Sequence, residues 1–207
     1  QYQQRPVPAG GGILKREWFK RRWTLPGQDA VEGFECRSVP TQFDHISVWT
    51  DAAFKKTEDS DRVAIGVFGV KGVDLYLLHL VWDRMGFGDT VKALEHIRAS
   101  WPQLSGIYIE DKANGSAIIE TLRGKIAGVI AVEPEGGKEA RIQAVAPFIE
   151  AGNLWLPLSA SWVEDYVVEA CSFPKAPHDD AIDCTAYALT HYCAKRYSSI
   201  LDALTRD

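Results

Sequence analysis

The chain has 207 residues, 46% of them hydrophobic and 25% charged, which suits one large globular domain or a domain with an appended arm. A net charge of −5 argues against a passive, uniformly basic nucleic-acid coat, although it leaves room for a nuclease with an acidic metal cluster. The longest apolar runs, such as Ile126–Val132, are too short to cross a bilayer.

Residues 1–40 read as an arm. Pro6, Pro8 and Gly10-Gly11-Gly12 open it, without the charged-then-apolar layout of a secretory signal. Ile13–Trp23 then mixes five basic residues with Trp18, Phe19 and Trp23. That stretch reads either as a basic, aromatic surface for a DNA backbone or a neighbouring domain, or as an amphipathic segment whose aromatics dock on this domain. Pro26-Gly27 and Pro40 mark turns before the main domain, residues 41–207.

From there the pattern becomes regular. Ile46–Asp51 is apolar and β-branched, a strand ending on a carboxylate. Lys55–Asp61 is a charged connection, and Arg62–Val70 and Val73–Trp82 form a hairpin turned at Lys71-Gly72. Val91, Leu94, Ile97 and Trp101 keep helical spacing over Asp89–Trp101, with Asp89 or Thr90 as cap and Pro102 as stop. Ile107–Ile109 is a short buried strand ending on Glu110, and Asn114-Gly115 turns into a helix through Leu122. Ala127–Val132 and Leu154–Leu156 read as strands, and Glu139–Ala151, Ser161–Cys171 and Asp179–Arg196 as helices. Hairpin-linked strands followed by strand–helix–strand crossovers predict an α/β fold, a mixed sheet with helices on both faces. Cys36, Cys171, Cys184 and Cys193 lack metal-type spacing and read as reduced thiols of an intracellular protein.

Three acidic stretches carry the chemistry. Asp51 alone reads as the start of a turn. It gains meaning beside Glu110-Asp111 and Asp179-Asp180-Ala181-Ile182-Asp183. If the strands ending at Asp51 and Glu110 lie side by side and parallel, their ends stand about 4.8 Å apart, suited to a shared cation. Asp179 and Asp183 are one helical turn apart, and acids this dense at a helix start read either as a cation site or as a solvated, capping first turn. The set suits Mg²⁺ or Mn²⁺, hard ions that favour oxygen donors, and two ions roughly 3.5–4 Å apart can drive phosphodiester hydrolysis. Asp111 is an alternative to Glu110, and His178 could position water or protonate a leaving group. Lys55, Lys56, Lys112, Lys138 and Arg141 are candidates for DNA contact, each also readable as a solvated side chain. No GxxxxGK[ST] phosphate loop occurs, so the chain should not hydrolyse ATP by itself.

Gln4–Pro8 through Phe19, Trp49-Thr50-Asp51-Ala52-Ala53-Phe54-Lys55, Ile109–Gly115, and Phe173-Pro174 with His178–Asp183 together resemble the C-terminal nuclease domain of the tailed-bacteriophage terminase large subunit. The resemblance covers nearly the whole chain. It implies a ribonuclease H-like fold and a two-metal endonuclease that cuts concatemeric double-stranded phage DNA during genome packaging. By position it assigns metal binding and catalysis to Asp51, Glu110, Asp179 and Asp180, with Asp183 as a further ligand or a support for one. It also implies an ATPase domain in the same full-length protein, the small terminase subunit and the portal as partners, no membrane, and the cytoplasm of a bacterial host. Two other readings differ in substrate or activity: a Holliday-junction resolvase or RNA:DNA-hybrid ribonuclease of the same fold, and a non-catalytic DNA- or portal-docking module.

Overall fold

The structure, a computed structural model, describes residues 12–51, 62–112, 115–133 and 135–204, with side chains as far as Cys193. Among the described residues, eight strands form one sheet: β1 (Arg21–Thr24), β2 (Glu35–Ser38), β3 (His45–Asp51), β4 (Val63–Lys71), β5 (Asp74–Asp83), β6 (Gly106–Glu110), β7 (Val129–Val132) and β8 (Leu154–Pro157). Their spatial order is β2-β1-β8-β5-β4-β3-β6-β7. Among the described residues only the pairs β3–β4 and β4–β5 run antiparallel, so the sheet is mixed. Gly72, at φ +60°, supplies the left-handed backbone that the β4–β5 hairpin needs.

The α-helices among the described residues are α1 (Phe87–Ser100), α2 (Gly115–Arg123), α3 (Lys138–Glu150), α4 (Val163–Ser172) and α5 (Asp180–Leu204). Strand alternation sends successive residues to opposite faces, and each face has its own core. Val48, Ile65, Ile107 and Ile109 meet Val91, Leu94, Ile118 and Leu122 of α1 and α2. Trp49, Phe68, Leu77 and Tyr108 meet Ile142, Val145, Tyr166, Ile182 and Leu189 of α3, α4 and α5. The helices thus cover both faces, as the order of elements predicts.

α1 begins at Phe87, before the Asp89 or Thr90 expected as its cap; Thr90 Oγ1 instead donates back to the Gly86 carbonyl at 2.9 Å from inside the first turn. Residues 1–40, set apart in the sequence as an arm, contribute β1 and β2, which extend the sheet beyond β8. Leu14 and Phe19 are buried in the α3–α5 core, and Arg16 pairs with Glu164 of α4. The basic, aromatic run therefore places its apolar side chains inward and several of its charges on this domain. β1 and β2 are short and lack a clean alternation of apolar residues, which hides them in the sequence.

Ile107, fully buried in β6 between β3 and β7, anchors the α1–α2 core. Replacing it with alanine should cost about 2–5 kcal/mol of stability, read as a lower urea midpoint with an unchanged slope.

Candidate metal centre

The same alternation that builds the two cores aims the acids. Trp49 and Asp51 are two apart on β3, so Asp51 points to the α5 face, where Trp49 is packed. On β6, Tyr108 and Glu110 stand in the same relation. β3 and β6 are parallel, with Trp49 opposite Tyr108 and Thr50 opposite Ile109; the next step along brings Asp51 beside Glu110. Under the acids, the Trp49 and Tyr108 rings stack with centroids 4.2 Å apart and planes 4° from parallel. Tyr187 of α5 lies nearly parallel to Trp49 on the same stack. This aromatic platform holds two strand ends and one helix in fixed relation.

Gly115 closes the second acidic stretch for a steric reason. A Cβ at this position would overlap the Glu110 carbonyl oxygen, so only glycine lets α2 start this close to the end of β6. Asp111 lies one residue past Glu110, accepts a hydrogen bond from the Ser116 hydroxyl and is tied by its amide to the Val132 carbonyl at 2.8 Å. It is thereby engaged with α2 and β7. Glu110 is the acid of this pair that stands beside Asp51.

α5 brings the third set. Asp179 lies just before the helix, and its carbonyl accepts the Asp183 amide at 3.0 Å. Asp180 and Asp183 are buried on the face turned to the sheet. The Lys138 ammonium, on the first residue of α3, sits among these groups. Its Nζ is 3.1 Å from Asp51 Oδ2, 2.7 Å from Asp179 Oδ1, 3.5 Å from Asp183 Oδ2 and 3.9 Å from Asp180 Oδ1. Side chains from opposite ends of the domain's sequence thus converge on one cation. Among the described residues, no three His, Cys, Asp or Glu side chains stand ready to grip a metal ion directly. The acids are instead spread around the lysine.

Arg141, one turn further along α3, is buried and clamps Asp183, with Nη2 at 2.9 and 2.8 Å from the two carboxylate oxygens and Nε at 3.1 Å. Its Nη1 donates to the Gly136 carbonyl at 3.0 Å, and the guanidinium lies over the Tyr187 ring. The side chains of Lys138 and Arg141, read in sequence as candidates for DNA contact, are therefore turned inward onto carboxylates. A Gly-Gly loop before a helix does not reveal that direction. Lys112 is exposed and pairs with Glu110 at 3.1 Å. His178 lines a neighbouring cavity of about 260 Å³ with Arg62, Trp82 and Glu169. Lys55 and Lys56 lie outside the described residues.

Burial pushes the Asp51 carboxyl up to about 7, opposed by Lys138 and reinforced by Glu110, Asp183 and Asp180. Burial likewise raises Asp183, against the pull of Lys138 and Arg141. For Lys138, burial alone would lower the pKa, but the surrounding carboxylates prevail and raise it. The site is a concentrated negative charge held in a poorly solvated place.

A family model for the terminase RNaseH-like domain matches residues 48–192, a span that takes in the end of β3, all of β6 and the first half of α5. The chain belongs to the terminase RNaseH-like domain family. Solved structures agree in fold. The large terminase nuclease of thermophilic phage G20c, with bound magnesium, aligns at a TM-score of 0.59 and 14% identity over 88% of this chain and 98% of that one. The human cytomegalovirus terminase nuclease domain, Mn-soaked and inhibitor-bound, aligns at 0.57 and 13% over 87% and 95%. The large terminase of another thermophilic bacteriophage aligns at 0.59 and 12%, over 86% of this chain but only 44% of that protein. A comparison with curated proteins returned no match. The ribonuclease H-like fold expected from the acidic motifs is thus the fold of this terminase domain.

Two outcomes test the electrostatics of the centre. Arg141→Ala leaves the buried Asp183 carboxylate to the more distant Lys138 ammonium and should lower stability by up to about 3–5 kcal/mol, with part of the loss restored when Asp183→Ala is added; denaturant melts read both. Asp51 has a folded pKa near 7, above its ordinary 3.8, so folding takes up a proton between those values. Its contribution to stability is complete below the lower value and lost as pH rises through the higher one. The metal-free protein should therefore melt at lower temperature as pH rises from about 5 to about 8, and Asp51→Asn should flatten part of that slope.

Proposed function

We propose that this domain is a metal-dependent endonuclease that cuts concatemeric double-stranded phage DNA during genome packaging. The observation that carries the reading is the gathering of Asp51, Asp179, Asp180 and Asp183 around the Lys138 ammonium, with Glu110 on the strand beside Asp51. Membership of the terminase RNaseH-like family supports it, as do the magnesium and manganese of the similar G20c and cytomegalovirus structures.

The donor set fits a divalent cation. It offers carboxylate oxygens, the ligands that Mg²⁺ and Mn²⁺ favour, and Asp51 is held in a buried site where its charge is costly. A divalent ion bound there would polarise a phosphodiester and activate water, and two ions would stabilise both the attacking and the leaving oxygen. Asp51 and Glu110 would hold one ion from the strand ends. Asp179 and Asp180 would complete the centre from the helix. Asp183, clamped by Arg141, keeps α3 against the first turn of α5 and adds charge beneath the ligands. Lys138 neutralises the cluster and so lets the acids approach one another during folding. Lys112, exposed and paired with Glu110, would meet a DNA phosphate, and His178, next to Asp179 in sequence, lines the neighbouring cavity.

The chain spans less than half of the full large terminase that it matches. An ATPase domain in the same full-length protein, the small terminase subunit, the portal and a place of action in the bacterial host cytoplasm belong to the same proposal. No described helix is long and apolar enough to cross a membrane.

Asp51→Asn should abolish Mn²⁺- or Mg²⁺-dependent nicking of plasmid DNA, by about 10³-fold or more, while circular dichroism shows the fold intact. Cleavage that survives this change would remove Asp51 from the mechanism. Linear duplex should be cut in preference to a four-way junction or an RNA:DNA hybrid, and the opposite ranking would move the domain to resolvase or hybrid-ribonuclease chemistry. DNA binding without cleavage in any divalent metal would leave a docking module.

A further inference from the structure

Glu169 takes no part in the centre as described so far, yet it is buried at the junction of α4 with the start of α5. One of its oxygens, Oε1, accepts the backbone amides of Ala181 at 3.0 Å and Ile182 at 3.1 Å. These belong to the first turn of α5, where amides have no partner inside the helix. An aspartate immediately before a helix ordinarily folds its own carboxylate back onto these amides. Asp179 occupies that position, but the amides are already taken. Its carboxylate turns instead to the Lys138 ammonium, 2.7 Å away.

We infer that Glu169 is a positioning residue that caps α5 in place of Asp179 and so frees the Asp179 carboxylate for the metal centre. The geometry supports this in two ways. The cap comes from another helix, α4, so it fixes the angle at which α5 presents Asp180 and Asp183 as well as satisfying its amides. Tyr166, one turn earlier on α4, reinforces the joint through a 2.7 Å hydrogen bond with the Thr185 hydroxyl. In addition, Glu169 Oε2 is buried with no hydrogen-bond partner. A buried acid with one oxygen unsatisfied is a poor device for stability alone. Removing the carboxylate from this joint leaves Asp179 as the nearest acceptor for the Ala181 and Ile182 amides, at the expense of its contact with Lys138.

The inference rests on the metal-centre reading for its consequence, but its core, the exchange of caps, can be tested without metal. Thermal melts of a double-mutant cycle read the exchange directly: Asp179→Ala should lower Tm more in the Glu169→Leu background than in the wild type, because only there does Asp179 serve as the cap. Equal effects of Asp179→Ala in both backgrounds would overturn the inference. Mn²⁺ titration by electron paramagnetic resonance, well below Tm, reads the consequence. Glu169→Leu should weaken Mn²⁺ binding by about tenfold or more, whereas Glu169→Gln, which keeps a carbonyl acceptor, should bind within a few-fold of wild type. A purely structural cap would lower Tm and leave Mn²⁺ affinity unchanged, which also overturns the inference. If the wild-type protein binds no Mn²⁺, the metal-centre reading fails, and the melting cycle alone decides the role of Glu169.

Discussion

Everything at the centre depends on two parallel strands that end in register on the same face. β3 and β6 are neighbours, and the step from Trp49 to Asp51 is matched by the step from Tyr108 to Glu110. The stacked rings below the acids fix the register, because a slip of either strand by one residue would turn its carboxylate to the α1–α2 face and send its aromatic ring with it, breaking the stack. Burial of the aromatics thus specifies where the charges go. The hydrophobic effect, which has no directional preference of its own, acquires direction through the pleat.

Such a site must survive folding. Buried carboxylates that face one another are unfavourable without compensation, and α3 provides it in two distinct forms. Arg141 makes a planar, multiply hydrogen-bonded clamp on Asp183, an arrangement suited to permanence. Lys138 is a compact ammonium on a flexible stem, shared among several acids at unequal distances and partly open to solvent. The two cations therefore differ in how readily they could yield to another positive ion, and the chemistry of each side chain matches that difference.

Much of this was legible in the sequence. The strands ending on Asp51 and Glu110 announce themselves by short apolar runs terminated by acid, and the crossover pattern suggests that they run parallel; that they are neighbours is shown by the sheet order. The sequence leaves Glu110 and Asp111 as alternatives; alternation along the strand groups Glu110 with Tyr108, but only knowing which face α5 covers shows that this is the face of Asp51. Other features were hidden because their signal is nonlocal. Lys138 and Arg141 follow a glycine pair and resemble solvent-facing basic residues; only the packing of α3 beside α5 shows that they turn inward. Glu169 sits in an otherwise apolar stretch with Tyr166, Val167, Ala170 and Cys171, and an acid on a buried helical face is the one local hint of its role. β1 and β2 are four residues each, too short for periodicity to register.

The construction of α5 has a further consequence. Its opening turn carries Asp180 and Asp183 around the buried Ala181, and among the residues that follow, Cys184, Ala186 and Ala188 are small and buried. Cys184 approaches β4 closely enough for its thiol to reach the Ala64 carbonyl at 3.3 Å. The helix therefore lies low on the sheet as a stiff rod with acids at its tip. Added bulk under its second turn, at Ala186 for example, would tilt the rod and carry both carboxylates with it. The interior volume beneath these small residues acts as the gauge that sets the aperture of the acidic centre.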